Sequence, residues 1–483
     1  MNLTEFLALA AKGRRVSVSQ EFAVPGLLPM AAFQCVRVDH PEAVMLESLQ
    51  EGNSRYSFIA FEPFASLRAE KSLVTTCIQQ EVVTQNIKPF EALRQMIKNL
   101  SCVAAPHKDF IGSIIGFMSY GAVRLFEAIP DRHESAGLPD VAFNFYGITL
   151  RFDQQAQRLL ISVIVEISDA PADDFYAAEA KMKALMVQLQ AAVFAEPVFS
   201  KNILDIAEPD TDMDDAAFQA MVEKARAYIR AGDIFQVVVS RAFKVPYAVH
   251  PLRIYEALRA SSPAPYMFYL PIDDVVVLGA SPEKLVSVHE GMITTHPIAG
   301  TRRRPDAHHN QAIEADLLSD EKELAEHRML VDLARNDVGA VATPGSVEVT
   351  ELLKVKHYAH VSHITSTVIG QLRPECDALD ALAAAFPAGT LSGAPKIRAM
   401  EIIDKLEVSS RGLYGGAICR LDYQGNLDSC IAIRMAILKN GMALIRAGAG
   451  IVFDSDAQAE CDETRHKAHA MLYALALAQG VVS

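Results

Sequence analysis

Apolar positions recur along this chain in two rhythms, and each rhythm predicts a different element. Aromatic and β-branched residues crowd Arg55-Tyr56-Ser57-Phe58-Ile59-Ala60-Phe61, which predicts a strand. Short strands are expected to continue through Leu67–Val83, with others at Val141–Phe152 and Leu159–Glu166. Phe110–Tyr120 is apolar and broken by glycines, which suits a buried strand with close backbone neighbours. Helical spacing runs through 89–100, opened by Pro89, and through the alanine-rich stretch 172–195. Residues 1–40 read as a helix followed by an extended segment broken by Pro25 and Pro29.

The acidic, proline-bearing stretch 196–214 reads as a linker, dividing the chain into segments 1–200 and 215–483. Beyond it, Asp214 or Asp215 is expected to cap a helix over 216–231 that Gly232 ends. Strands are expected at 235–243, 275–280, 285–296, 347–355, 417–423, 429–438 and 442–448. Helices are expected at 251–260, 310–336, 360–371, 377–385, 395–406 and 457–479. Ser262–Phe268 reads as a rigid, proline-bearing turn entering a strand. Strands and helices do not alternate strictly, which predicts an α+β fold of mostly antiparallel sheets flanked by helices. Gly112–Phe117 echoes Gly415–Arg420 in its placement of small residues, as two similar strands in two halves of one sheet system would.

Composition narrows the function classes. The 483 residues are 51% hydrophobic and 22% charged, globular values. A net charge of −14 argues against a nucleic-acid surface and means that an anionic ligand must be held by local cations. Seven cysteines lie scattered without CxxC spacing, which suggests neither zinc nor a disulfide framework and fits a reducing compartment. No run is long enough to span a membrane and the N-terminus lacks a signal pattern, so a cytoplasmic location is expected. There is no tryptophan.

Several constellations could carry chemistry. Pro387-Ala388-Gly389-Thr390-Leu391-Ser392-Gly393-Ala394-Pro395-Lys396 is a small-residue loop running into a helix with an apolar stripe at Ile397, Met400, Ile403 and Leu406. It is not a Walker A loop, because no Ser or Thr follows Lys396. Glu323-x-x-Glu326 and Glu460-x-x-Glu463 each put two carboxylates on one helix face, where they could hold a hard divalent cation or form an ordinary solvated face. His363 could serve as acid or base, or be structural. Arg434, within an expected apolar strand, needs a partner: a substrate carboxylate or an internal carboxylate. Gly448-Ala449-Gly450 could offer N–H groups or simply turn, and Glu283 could protonate a leaving group if its pKa is raised.

Taken in order, PIAGTRRR, DEKELAEHRMLVDLARNDVG, GTLSGAPKIRAMEIID, RGLYGG, CIAIR, AGAGIVFDSD and ExxET resemble the chorismate-utilising enzymes, and within them component I of anthranilate synthase. The resemblance is dense over 215–480 and thinner at MLES, RYSFIAFEP and GSIIGFMSYGAVRLFE. It implies a chorismate-binding fold and a reaction in which ammonia adds to chorismate, the ring hydroxyl leaves and pyruvate is eliminated to give anthranilate. It implies Mg²⁺ on Glu326 and Glu460, with Glu463 close by. Glu283 matches the proton donor and His363 the catalytic histidine, with Thr390 and Lys467 also in the catalytic pocket. Gly300 and Thr301 of PIAGT, with Tyr414, Arg434, Gly448, Ala449 and Gly450, match the substrate-binding positions.

Ala299 and Thr390-Leu391-Ser392 favour anthranilate formation over the related aminodeoxychorismate reaction, whose enzymes commonly carry a lysine at the position of Ala299. No G-x-C-x-G elbow is present, so a separate glutamine amidotransferase partner is implied as the ammonia source. MLES with SPAPYMF resembles the family's tryptophan feedback pocket and points to Glu47, Ser48, Pro265, Tyr266 and Met267. The chain departs from that pattern at Ser262, where Asn is usual, at Ala264, where Ser is usual, and at Cys419-Arg420, where Gly-Tyr is usual. The first two departures remove hydrogen-bonding options. A non-catalytic tryptophan sensor is the rival reading from another class.

Overall fold

The computed structural model describes all residues except 50–54, 105–111, 136, 193–196, 198, 200–207, 305, 358–360 and 481–483, and the side chains of Thr301, Ala307 and Val361. Most of the expected linker 196–214 therefore lies outside the described residues.

Two long strands, Tyr56–Glu70 and Val141–Asp153, pair antiparallel along their length and carry two sheets between them. Their register shifts between Pro63 and Ala65, and the sheets diverge on either side of that irregularity. On one side, Tyr56–Glu70 pairs with Val44–Glu47, which pairs with Tyr266–Ile272. This sheet then continues through Val275–Ser281, Met435–Lys439, Met442–Ile451 and Gln236–Pro246. On the other side, Val141–Asp153 pairs with Ser113–Met118, which pairs with Ala417–Leu421. That sheet continues through Leu427–Ile431, Lys284–His289, Met292–Thr295 and Val361–Gln371. The echoing segments at 113–118 and 417–421 are thus neighbours in one ladder. All these ladders are antiparallel, as the absence of strict β–α alternation predicts.

Val44, Ala60, Phe117, Phe268, Val277 and Ile418 fill the space between the sheets. Helices cover the outer faces: Pro171–Gln190, Pro251–Ser261 and Ala457–Gln479 over one core, Pro89–Asn99, Glu321–Gly339 and Ala378–Ala385 over another. Each fully buried Phe, Ile or Val contributes ~1.5–3 kcal/mol. Asp214 caps the helix Asp215–Arg230 through Ala217 N.

Six expectations need correction. The strand expected over 285–296 is a hairpin of two, Lys284–His289 and Met292–Thr295. The extended segment expected up to residue 40 ends in a helix, Pro29–Asp39, which Pro29 opens. Residues 361–371 form a strand, not a helix. The run Val361-Ser362-His363-Ile364-Thr365-Ser366-Thr367-Val368-Ile369 is β-branched at most positions and pairs on both flanks, with 292–303 on one side and 348–357 on the other. The helix expected over 310–336 is two, Asn310–Ser319 and Glu321–Gly339, because Asp320 leaves the helical region and caps Lys322 N and Glu323 N. The strand expected over 429–438 breaks at Arg434, whose φ of +51° turns the chain between Leu427–Ile431 and Met435–Lys439. Of the proposed stripe on helix Lys396–Leu406, Ile397 is exposed, while Ala399, Met400, Ile402 and Ile403 are buried.

Candidate active site

Glu283 stands where strand Val275–Ser281 turns into strand Lys284–His289. Its backbone is held there, with Ile431 N donating to its carbonyl at 3.0 Å. Its carboxylate receives the Thr390 hydroxyl at 3.0 Å, so the small-residue loop delivers one hydrogen bond to the candidate acid. Desolvation raises the Glu283 pKa to about 7, against the lowering effects of Thr390 and Lys467. The residue as a whole is half-buried.

His363 lies on strand Val361–Gln371, opposite Thr301 in the ladder, and its Nδ1 donates to Gly300 O at 3.1 Å. Burial lowers its pKa, with Arg434 adding to the effect and Gly300 opposing it, so the imidazole is neutral at neutral pH. Gly300 has φ +64° at a register shift, and a Cβ there would come within 3.3 Å of Glu323 Oε2, Ile364 and Leu317. The Thr301 side chain lies outside the described residues.

Gly448, Ala449 and Gly450 face Ser240, Val239 and Val238 across a ladder. Gly448 O accepts Lys467 Nζ at 3.0 Å, while Ser240 N and Val238 N donate away from the ladder, to Glu407 and to Ser392 O. Gly448 and Gly450 therefore occupy non-hydrogen-bonded ladder positions, with polar groups turned outward, and Ala449 turns its own to the ladder instead of the cleft. A Cβ at Gly448 would meet Val239 O at 2.6 Å and the Tyr414 hydroxyl at 2.8 Å, so the ring can approach only a glycine. The Tyr414 loop is tied to the segment before Arg434 by Gly415 N→Ala432 O and Ala432 N→Gly416 O, both 2.9 Å. Arg434 is desolvated, which lowers its pKa, with Tyr414 and Glu463 opposing.

Glu463 on helix Ala457–Gln479 lies within electrostatic reach both of Glu326 on helix Glu321–Gly339 and of Glu460 on its own helix. Desolvation raises the pKa of both Glu326 and Glu460, and Glu463 raises each further; Glu323 also acts on Glu326. Lys467 pairs with Glu463 at 2.5 Å, and Arg302 with Glu323 at 3.1 Å. Among the described residues no three His, Cys, Asp or Glu side chains are grouped so as to hold a metal ion. Partly buried, mutually repelling carboxylate oxygens are nevertheless the donor set a hard divalent cation takes, drawn inward with water and substrate oxygens completing the shell.

The sequence reading missed some supporting residues. Gln236 Nε2 reaches Glu326 Oε1 at 3.4 Å and lies 3.0 Å from where a Gly450 Cβ would be; a lone amide before the apolar run Val237-Val238-Val239 was its signal. Buried Glu407 accepts from Ser240 N, Arg411 and Arg446, while Arg411 donates to Leu391 O at 2.6 Å and Val238 O at 2.7 Å. That network joins the Thr390 loop to the Gly448 ladder, and nothing in residue spacing announced it.

The other site residues line a separate cavity of about 790 Å³ between the sheets. Glu47 pairs with Met267 across one ladder and Ser57 across another. Its Oε2 takes Tyr255 OH at 2.9 Å and Arg259 Nε at 3.1 Å. Ser48, Pro265, Tyr266 and Met267 share the wall, and Tyr266 OH reaches Asp428 at 3.4 Å. Pro282 and Lys284, on either side of Glu283, also line it.

The sequence pattern of the chorismate binding enzymes matches residues 41–473. The chain is 38% identical to anthranilate synthase component 1 of Bacillus caldotenax, over 99% of this chain and 97% of that protein. It is 40% identical to the Acetivibrio thermocellus protein of the same name, over 89% of each. The crystal structure of anthranilate synthase component I from Streptococcus pneumoniae TIGR4 superposes with a TM-score of 0.74 at 39% identity, covering 88% of this chain and 93% of that one. The menaquinone-specific isochorismate synthase of Escherichia coli shares the fold, with a TM-score of 0.71 at 18% identity over 98% of both chains.

Proposed function

The chain belongs to the chorismate-binding enzymes and is a chorismate-converting lyase, and from that premise we propose that it makes anthranilate and pyruvate from chorismate and ammonia, the first committed step of tryptophan biosynthesis. The observation that carries this reading is the Glu283–Thr390 pair: a carboxyl group with a pKa of about 7, hydrogen-bonded by the Thr390 hydroxyl and within electrostatic reach of Lys467. Such a carboxyl is protonated in about half of the molecules at pH 7 and can give that proton to the C4 hydroxyl, which leaves as water while ammonia bonds to C2. His363, whose Nδ1 donates to Gly300 O, takes the C2 proton as pyruvate is expelled and the ring becomes aromatic. Arg434, the Tyr414 hydroxyl and the outward groups of Gly448 and Gly450 form a cradle for the enolpyruvyl carboxylate. Lys467 braces that cradle through Gly448 O and Glu463.

Glu326, Glu460 and Glu463 would hold Mg²⁺, whose charge would neutralise the ring carboxylate that this acidic cleft otherwise repels. Ammonia is supplied by a glutamine amidotransferase subunit, in keeping with the "component 1" of the relatives' names. The cavity around Glu47 and Tyr266 takes tryptophan as a feedback effector; because Pro282 and Lys284 flank Glu283, occupancy there bears on the acid through one strand. The part of the feedback site at Glu47 and Ser48 belongs to segment 1–200, and the catalytic groups to 215–483. No helix among the described residues is long and apolar enough to cross a membrane, and the seven cysteines are free, in keeping with the reducing cytoplasm.

The test mixes the purified chain with chorismate, Mg²⁺ and an ammonium salt, following anthranilate fluorescence and pyruvate together. Equal yields of the two, abolished by EDTA, are expected. Chorismate consumed without pyruvate would move the reaction to the aminodeoxychorismate branch, and tryptophan binding without any turnover would make the chain a sensor.

A further inference from the structure

Arg420, one of the departures from the family pattern, lies in the effector cavity. It projects from strand Ala417–Leu421, is buried, and its guanidinium carbon sits 3.5 Å from the centroid of the Phe58 ring. Phe58 pairs with Leu46, next to Glu47, in one ladder. Arg420 pairs with Asp428 in another, and Asp428 contacts Tyr266. Two independent routes thus bring Arg420 and Glu47 to walls of one cavity.

The two residues are chemically complementary. Glu47 is buried, with Oε2 bonded to Tyr255 and Arg259, while Oε1 has no hydrogen-bond partner in the structure. An orphaned buried carboxylate oxygen is a ready acceptor for an ammonium group. Arg151, Lys284 and Arg420 line the same cavity, against Glu47 and Asp428, so cations outnumber acids here in a protein of net charge −14. Burial pulls the Arg420 pKa down to about 10, with Asp428 and Asp422 opposing and Arg151 adding to the shift; an added anion relieves that strain.

We propose that Arg420 is the specificity-determining residue of this cavity: it holds the carboxylate of an aromatic amino acid whose ammonium meets Glu47 Oε1, making up for the hydrogen-bonding options reduced at Ser262 and Ala264. This rests on the reading of the cavity as an effector site.

Calorimetric titration with L-tryptophan, tryptamine, which lacks the carboxylate, and indole-3-propionate, which lacks the ammonium, tests it. In the unaltered chain tryptophan binds, and each truncated probe binds at least about tenfold more weakly, the size of one charge-assisted hydrogen bond. Arg420→Tyr weakens tryptophan by about tenfold or more and brings it level with tryptamine, while Arg420→Lys keeps most of the discrimination. Turnover of chorismate without effector stays unchanged in both variants and reports that they fold. If Arg420→Tyr binds tryptophan as before and still discriminates against tryptamine, Arg420 only packs against Phe58 and the proposal falls while the effector reading stands. If no probe binds any form, both fall together.

Discussion

Two groups of charged side chains stand on either side of the strand turn at Glu283 and differ in the sign of their charge. The proposed catalytic group comprises Glu283, Glu323, Glu326, Glu460 and Glu463, with Lys467 acting on Glu283 and Glu460 and Glu463 acting on Arg434. The proposed effector cavity is lined by Arg151, Lys284 and Arg420 as well as Glu47 and Asp428. Both would take carboxylate-bearing ligands, so the difference lies in how the anion is held. In the cleft a divalent cation would be interposed, leaving the carboxylates free to hold that ion and, at Glu283, to carry a proton. In the proposed effector cavity the protein's own guanidinium would meet the anion, because no chemistry follows and a fixed charge suffices.

The contrast breaks most sharply at Glu283. Glu283→Gln cannot donate a proton, and anthranilate formation should fall by about 10²–10⁴-fold, with KM for chorismate little changed. An undiminished kcat in that variant would mean that the cleft's acid lies elsewhere. Glu326→Gln should raise the Mg²⁺ concentration needed for half-maximal rate by about 10–100-fold while leaving tryptophan binding intact. A Mg²⁺ titration that does not move would remove Glu326 from the metal site.

The pH profile sharpens the comparison further. A carboxyl with a raised pKa holds its proton below about 7 and loses it above, so kcat/KM for chorismate, at fixed free ammonia, should halve near pH 7 and fall about tenfold per unit beyond. A profile flat to pH 9 would contradict the role of Glu283. The smallest expected effect is at Gly448→Ala, whose methyl group must displace Tyr414; KM for chorismate should rise by about tenfold with the metal requirement unchanged.

The mostly antiparallel α+β character was legible in the chain, because aromatic and β-branched runs and helix caps are local signals. The candidate residues of the cleft were legible as well, since acid, histidine, arginine and glycine are the groups such chemistry needs and they stand in ordered motifs. Val361–Gln371 was not, because a short apolar run reads as helix or strand until partners appear on both of its edges. Nor was Arg434, whose positive φ is held by the turn it occupies and by Ala280 N donating to its carbonyl.

Residue type and spacing settle which groups can ionise, donate or accept; those are properties of the side chains. Which groups share a cavity, and with what pKa, follows from long-range pairing and burial. The ladder between Val44–Glu47 and Tyr266–Ile272 brings Glu47 to Met267, and the strand Ala417–Leu421 carries Arg420 to Phe58. Desolvation then turns the ordinary carboxyl of Glu283 into an acid poised near neutrality. Contacts between residues hundreds of positions apart leave no mark in local pattern, and burial depends on every element packed around a group.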